Sequence, residues 1–222
     1  MLFSSLFFLY SFLPVVIILT LMSNNVKVQN WILLIFSLFF YAWGEPVYVI
    51  LMVLTGAFAW FMSHVIEHAN SQGKKRKALI AATVVMLGAL GIFKYANFFI
   101  DQINLIPFIN IPNPTIRLPI GISFYTFQVL TYVIDLYRGE VEVQKKLHKF
   151  LLYQTLFPQI IAGPIVRYSD VAYQIDHRTI SLEGVKTGAG RFLIGLAKKV
   201  ILANGVGQLV VQTMDVENLA SL

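Results

Sequence analysis

The sequence predicts an all-α, polytopic transmembrane protein, and three observations support this fold class. Of the 222 residues, 57% are hydrophobic and only 13% are charged, with a mean hydropathy of +0.71. Soluble domains carry about 25% charged residues, so the chain lies outside their range. The apolar residues also form runs close to the roughly 20 residues that a helix needs to cross a bilayer. Finally, 18 Phe and 10 Tyr suit contact with lipid and with the membrane interface.

Five apolar runs predict membrane-spanning helices. The first run has no basic region before it and no small-residue cleavage site after it, so we expect a retained span and not a signal peptide. Gly44 and Pro46 in WGEPV separate the second run from the third, because both residue types interrupt helices. A shorter apolar helix is expected at Phe192–Leu202. The five predicted spans are Phe3–Met22, Val28–Trp43, Pro46–Ile66, Ala78–Ile100 and Leu118–Tyr137.

Positive charge predicts the orientation of these spans. GKKRK, residues Gly73–Lys77, is the densest basic run, and cytoplasmic loops carry an excess of Lys and Arg. We therefore expect Gly73–Lys77 and Arg138–Lys149 in the cytoplasm, and Asn104–Arg117 outside. The net charge of +6 lies largely between apolar runs, so the expected partner is the lipid bilayer and not nucleic acid. Without repeats or a second domain, residues 1–222 read as one transmembrane region.

An interrupted segment follows the fifth span. The apolar run Phe150–Ile161 is too short to cross a bilayer, and FPQIIAGPIVRY contains Pro158, Gly163 and Pro164. Irregular backbone at membrane depth is tolerated only where protein or a water-filled cavity surrounds it. We therefore predict a re-entrant or half-crossing segment over residues 150–168, with its break at a buried or cavity-lining site.

Three ionisable residues lie near membrane depth. Arg167 follows the break. An ionisable residue at or near membrane depth indicates a functional site. An equally favoured interpretation is that Arg167 anchors the chain at the membrane interface. Asp135 and Arg138 are spaced i and i+3, which puts them on one helix face. For this pair a structural ion pair at the interface is favoured over direct chemistry.

No metal or nucleotide site is predicted. HVIEH, residues His64–His68, matches the H-x-x-E-H pattern of one zinc protease group, but no partner motif supplies a third ligand. A polar helix end at the interface is the favoured interpretation. The chain has no Cys, which excludes thiolate sites. The glycines of GVKTGAGRFLIG match no phosphate-binding pattern and favour close helix packing.

Two long motifs carry a resemblance to a known family: LPIGISFYTFQVLTYVIDLYRG (Leu118–Gly139) and FPQIIAGPIVRYSDVAYQIDHRT (Phe157–Thr179). Both closely resemble the membrane-bound O-acyltransferase family, in particular its alginate O-acetylase branch. Supporting matches are MLFSSLFFLYSFLP, FYAWGEP, FKYANFF and RFLIGLAKKVILAN, so the resemblance covers essentially the whole chain. It implies helices around a tunnel or funnel, and transfer of an acetyl group to hydroxyls of an exported or cell-surface polysaccharide such as alginate.

The resemblance also implies partners and a site. The expected acyl donor is acetyl-CoA, with no bound cofactor, and the expected acceptor is the polysaccharide. A periplasmic or surface acetyltransferase is an expected partner, and the bacterial inner membrane is the expected location. The residues expected to line the pocket or the substrate path are Tyr125, Gln128, Gln159, Gly163, Pro164 and Arg167.

The sequence departs from the family in two places. The family's active-site histidine lies in a Trp-rich segment downstream of the matched region, so we expect it beyond Leu222. Asn204 stands where this branch is expected to carry Asp. The chain is therefore expected to be the N-terminal half of an acyltransferase, inactive by itself. No catalytic role is assigned to its own histidines, His64, His68, His148 and His177.

Two other functions stay open at this stage. The Pro and Gly breaks could form the midplane site of a small multi-span transporter or of an accessory membrane subunit, as broken helices do in transporters. The chain could also be a degenerate remnant without activity.

Overall fold

The structure, a computed structural model, describes residues 3–106, 108–160, 163 and 165–220, and these residues form helices and connecting segments without any strand. The predicted fold class, a polytopic helical membrane protein, is confirmed. Among the described residues, four helices are long and apolar enough to cross a membrane: Val26–Gly44, Tyr48–Glu67, Gln72–Ile103 and Leu182–Val211.

The described residues form two compact units, residues 18–178 and residues 3–17 together with 179–220. The prediction of one transmembrane region over residues 1–222 stays a prediction. In chain order, the helices are α1 (Phe8–Leu21), α2 (Val26–Gly44), α3 (Tyr48–Glu67), α4 (Gln72–Ile103), α5 (Ile122–Arg138), α6 (Leu147–Thr155), α7 (Phe157–Ile160), α8 (Tyr168–His177), α9 (Leu182–Ala197) and α10 (Asn204–Ala220).

Side-chain caps place two helix starts. Asn25 accepts a hydrogen bond from the backbone N–H of Lys27 at 2.9 Å, and Ser71 accepts one from Lys74 at 3.3 Å. Such caps satisfy N–H groups that lack a partner inside the helix. Because Ser71 starts α4 at Gln72, the basic run GKKRK forms its first turns, six residues before the predicted start at Ala78.

Three other predicted helices differ in length from those observed. The first predicted span, Phe3–Met22, corresponds to the shorter α1. The fifth, Leu118–Tyr137, begins only at Ile122, because Pro119 and the left-handed Gly121 (φ 75°) precede the first turn. The short helix predicted at Phe192–Leu202 lies inside a longer one, Leu182–Val211, in which a π-helical segment, Lys198–Ala203, joins α9 to α10.

Within residues 18–178, α3, α4 and α5 pack against one another, and α6 lies against α2, α3 and α5. Small residues at these contacts, Gly56, Ala59 and Ala82, are buried and let the helices approach closely. The aromatic side chains of Tyr132 and Phe150 fill the space between α5 and α6, with ring centroids 4.8 Å apart.

The helix α6 is the predicted half-crossing element. Its nine residues extend about 14 Å, which is under half of the roughly 30 Å hydrocarbon core. All side chains from Phe150 to Thr155 are buried, so protein surrounds this helix on every side. The short α7 continues it to Ile160, and Pro164, predicted to form part of the break, lies outside the described residues.

Basic residues concentrate at one side of the 18–178 unit, here called the basic side. A short turn joins α3 to α4 there, and Gln72 Nε2 donates to Tyr137 Oη at 3.1 Å, which places the end of α5 beside the start of α4. The predicted grouping of Gly73–Lys77 with Arg138–Lys149 on one side is therefore observed, although their cytoplasmic location stays a prediction. The basic residues of this side are Lys27, Lys74, Lys75, Arg76, Lys77, Arg138, Lys145, Lys146, Lys149, Arg167 and Arg178.

The close approach of α3 to α6 gives a testable prediction. A Cβ atom at Gly56 would lie 1.8 Å from Gln154 Oε1 and 2.9 Å from Leu151 Cδ2. Gly56→Ala is therefore expected to lower the free energy of unfolding by about 1–3 kcal/mol, because the buried neighbours must shift. The measurement is the Tm of the purified chain in detergent micelles.

The matched control is Gly88→Ala in α4, where an added Cβ meets no heavy atom within 4 Å. Since Ala is the better helix former by about 1 kcal/mol, its Tm should stay the same or rise. Equal Tm values for Gly56→Ala and the wild type would contradict the proposed helix contact.

Candidate functional site

The candidate site is the buried end of α6, where the helix stops inside the 18–178 unit. The last carbonyl groups of a helix have no partner inside the helix, and in hydrocarbon each unpaired group costs several kcal/mol. The carbonyl oxygen of Tyr153 accepts two hydrogen bonds, from Gln128 Nε2 at 3.0 Å and from Gln159 Nε2 at 2.6 Å. Two of the predicted pocket residues therefore converge on one backbone atom.

Tyr153 lies in α6, before the break in the helix, and Gly163 lies after α7. The Tyr153 hydroxyl donates to the carbonyl oxygen of Val166 at 3.0 Å, which ties α6 to the chain beyond the break. At Gly163 a Cβ atom would lie 2.7 Å from Gln159 Cα and 2.8 Å from its carbonyl oxygen. Only glycine fits this approach without a backbone shift. The break is thus held by side-chain hydrogen bonds and by one close backbone contact.

Buried polar side chains also fasten α6 and α7 to their neighbours. Gln154 Nε2 donates to the carbonyl oxygen of Met52 in α3 at 3.0 Å, and Ser37 Oγ in α2 accepts from the backbone N–H of Phe157 at 3.1 Å. Gln154 Oε1 is buried and has no hydrogen-bond partner in the described part of the chain. This oxygen is an unused acceptor in the interior of the unit.

A second buried polar cluster contains Tyr125, at the end of the unit opposite the basic side. Its ring meets that of Tyr41 edge to face at 6.4 Å, and the Tyr41 hydroxyl donates to the carbonyl oxygen of Ile120 at 2.9 Å. Nearby, the buried carboxylate of Glu45 lies 3.9 Å from the Arg117 guanidinium. Among the described residues the buried Tyr125 hydroxyl has no hydrogen-bond partner. The Tyr125 hydroxyl therefore makes no hydrogen bond to Gln128 or Gln159 in the described part of the chain.

Arg167 lies at the basic side and not at the buried end of α6. Its side chain is 58% exposed, and its Nη1 atom lies 4.0 Å from Glu140 Oε2. As the residue before α8, it directly precedes the buried Tyr168. The structure therefore does not bring Arg167 together with Gln128, Gln159 or Tyr125, and the pocket role assigned to all of them stays a prediction.

The ion pair predicted between Asp135 and Arg138 is not among those of the described residues, and the structural role assigned to the two residues stays a prediction. Arg138 Nη1 lies 3.9 Å from Glu140 Oε1, and no ion pair joins it to Asp135 among the residues described. The side chain of Arg138 is 60% exposed, whereas Asp135 is 2% exposed, so the two occupy different environments. The left-handed Gly139 (φ 79°) ends α5 and turns Glu140 back toward Arg138.

A buried hub at Gln144 was missed by sequence reasoning. Its backbone N–H donates to the Tyr132 hydroxyl at 2.9 Å, its Nε2 donates to the Tyr168 hydroxyl at 2.8 Å, and its carbonyl oxygen accepts from Trp60 Nε1 at 2.7 Å. Because Gln144 lies in a polar loop between Arg138 and Lys149, composition alone suggests an exposed residue. The tyrosines inside apolar helices are the only signal in the sequence, because a buried hydroxyl needs a partner.

The His64 and His68 side chains bond to their own helix. His64 Nδ1 lies 2.9 Å from the carbonyl oxygen of Trp60, and His68 Nδ1 lies 2.9 Å from that of His64. Across the described ranges, no group of three His, Cys, Asp or Glu residues could hold a metal ion. This geometry favours the polar helix end over a zinc site.

Similar proteins were found among curated sequences. The chain is 37% identical over 98% of its length to a Pseudomonas aeruginosa protein named "Probable alginate O-acetylase AlgI", and 38% identical over 92% to one of the same name from Pseudomonas syringae pv. tomato. It is 30% identical over 92% of its length to a Helicobacter pylori protein named "Peptidoglycan O-acetyltransferase".

The chain spans 43%, 40% and 45% of the length of these three relatives, respectively. No family model matches the chain, and no solved structure matches it. The resemblance inferred from the two long motifs is confirmed by these similarities, which extend over nearly all of the chain.

The shared carbonyl of Tyr153 predicts strong coupling between Gln128 and Gln159. Either Gln128→Leu or Gln159→Leu leaves one donor in place, so each is expected to lower the free energy of unfolding by about 1 kcal/mol or less. The double variant leaves a buried carbonyl unpaired and should exceed the sum of the single effects by about 1–3 kcal/mol. The measurement is a double-mutant cycle on unfolding in detergent.

Thr131→Val supplies the control for this cycle, because its exposed hydroxyl only donates to Phe127 within the same helix. Combined with Gln159→Leu, it should give additive effects. Additive effects for the Gln128 and Gln159 pair would show that they do not share an acceptor.

Proposed function

We propose that the chain, as a member of the membrane-bound O-acyltransferase family, forms part of an enzyme that transfers an acetyl group to hydroxyls of an exported or cell-surface polysaccharide such as alginate. The observation that carries the proposal is the similarity over 92–98% of the chain to proteins named as O-acetylases of alginate and of peptidoglycan. Both names describe O-acetylation of a carbohydrate polymer, which favours this reaction over transport.

In this proposal the described helices provide the wall of the reaction site. An acyl transfer inside a membrane needs a protein-lined space, and the buried end of α6, where the Tyr153 carbonyl oxygen accepts from Gln128 and Gln159, would form part of its wall. The general base that takes the proton from the acceptor hydroxyl is expected to be a histidine.

The proposed enzyme also needs an acyl donor, a protein partner and a location in the cell. We propose acetyl-CoA as the donor, approaching the basic side, and a periplasmic or surface acetyltransferase as the protein partner. The location is the bacterial inner membrane with the basic side toward the cytoplasm, because an excess of Lys and Arg marks cytoplasmic loops. A soluble, multiply negative donor would be attracted to the side that carries most of the Lys and Arg residues of the 18–178 unit.

The proposed reaction is tested in an alginate-producing bacterium that lacks its own alginate O-acetylase. The protein encoded by the complete gene is expected to restore O-acetyl groups on the exported alginate, measured as acetyl per uronic acid by proton NMR. The comparison is an otherwise identical strain with an empty vector. A protein that inserts in the membrane but adds no acetyl to alginate or to peptidoglycan would contradict the proposal.

For Arg167 we propose contact with an anionic group of the donor through its planar guanidinium. Arg167→Lys keeps the charge but loses the two-pronged hydrogen bond, so KM for acetyl-CoA should rise about fivefold, which corresponds to roughly 1 kcal/mol. The kcat value should change little. The measurement is initial acetylation rates in membranes as a function of acetyl-CoA concentration.

Arg138→Lys is the matched control, because Arg138 contacts the same Glu140 carboxylate and is similarly exposed. Its KM should remain at the wild-type value. If Arg167→Lys also keeps the wild-type KM, two-pronged recognition of the donor is excluded.

A further inference from the structure

A cleft of about 820 Å³ opens at the basic side, between the start of α2 and the facing ends of α6 and α8. Residues 22–27, Asn30, Lys149 and residues 175–177 line it. This cleft, here called the basic cleft, lies entirely within the 18–178 unit. It is distant in the fold from the Tyr41 and Tyr125 cluster at the opposite side.

The charges of the basic cleft are unbalanced. Asp176 is the one acidic residue among those that line it, and its carboxylate is paired with Lys149. Lys27 makes no ion pair in the described ranges, and its charge therefore has no counterpart in the cleft. The positive field at this point favours an anion.

The position of Lys27 adds to this preference. Lys27 lies in the first turn of α2, immediately after the Asn25 cap. The N-terminal end of a helix carries a partial positive charge, so a lysine there is unfavourable and an anion is favourable. An anion bound beside Lys27 would offset both the lysine charge and the helix dipole.

An exposed apolar stripe leads away from the basic cleft along α2. Val28, Trp31 and Ile35 are 46%, 48% and 59% exposed, and their spacing puts them on one helix face. Trp31 lies one turn beyond Lys27 and stacks on His148, with ring centroids 4.9 Å apart and an interplanar angle of 15°. A tryptophan in this position is typical of a membrane interface.

We propose that the basic cleft binds the phosphate headgroup of an anionic phospholipid, and that the apolar stripe carries one of its acyl chains. A soluble phosphate compound would use the cleft but would gain nothing from Val28, Trp31 and Ile35. The combination of an anion site with an apolar path into the membrane matches the two parts of one lipid molecule. This inference concerns lipid binding alone and does not depend on acyl transfer.

Tryptophan fluorescence tests the proposal in nanodiscs of phosphatidylcholine. In separate samples, the nanodiscs contain the same mole fraction of brominated phosphatidylglycerol or of brominated phosphatidylcholine. The bromine atoms on the acyl chains quench the tryptophan fluorescence of the full chain. The signal of Trp31 is obtained as the difference from Trp31→Phe, which keeps an aromatic ring on His148. Brominated phosphatidylglycerol is expected to quench Trp31 more strongly than brominated phosphatidylcholine.

Lys27→Gln should lower the preference for phosphatidylglycerol about fivefold, the usual effect of one basic residue near a membrane surface. The matched control is Lys74→Gln, an exposed lysine that follows the Ser71 cap in the first turn of α4 on the same side. It should leave the preference at Trp31 unchanged.

Three outcomes would overturn the proposal. The first is equal quenching of Trp31 by the two brominated lipids, and the second is an unchanged preference in Lys27→Gln. The third is loss of the preference on addition of inorganic phosphate or adenosine diphosphate but not of chloride at the same ionic strength. That result would assign the cleft to a soluble phosphate ligand instead of a lipid.

Discussion

The fold of the 18–178 unit depends on one constraint, which is that a helix ending inside a membrane must have its terminal backbone groups satisfied by protein. The nine-residue α6 meets this constraint through Gln128 and Gln159, which both donate to the carbonyl oxygen of Tyr153. The Ser37 hydroxyl accepts from the first N–H of α7. Without these side chains the half-length helix would leave unpaired backbone at membrane depth, where each such group costs several kcal/mol.

The same constraint explains the packing around α6. A helix that is buried on all sides needs neighbours that approach closely, and Gly56 in α3 provides the space that Gln154 occupies. Buried polar side chains then specify the register of the contact, because Gln154 Nε2 reaches one particular carbonyl, that of Met52. Apolar contacts between helices are less selective, since lipid tails are as apolar as the side chains they would replace.

Charge separates the unit into two chemically different ends. Lys and Arg residues gather at the side where α4 begins, and Arg167 belongs to this side through its contact with Glu140. The opposite end carries the buried Glu45 carboxylate beside Tyr41 and Arg117.

The sequence by itself determined the fold class, the second, third and fourth spans, and the half-length character of residues 150–168, because these depend on the lengths of apolar runs. Only the tertiary structure decided the partners: Glu140 replaces Asp135 beside Arg138, because a left-handed Gly139 reverses the chain. It also decided that Gln128 and Gln159 meet at Tyr153 while Arg167 lies at the basic side. Such pairings join residues that are distant in sequence, and the chain's local pattern carries no information about which of its polar side chains meet in the interior.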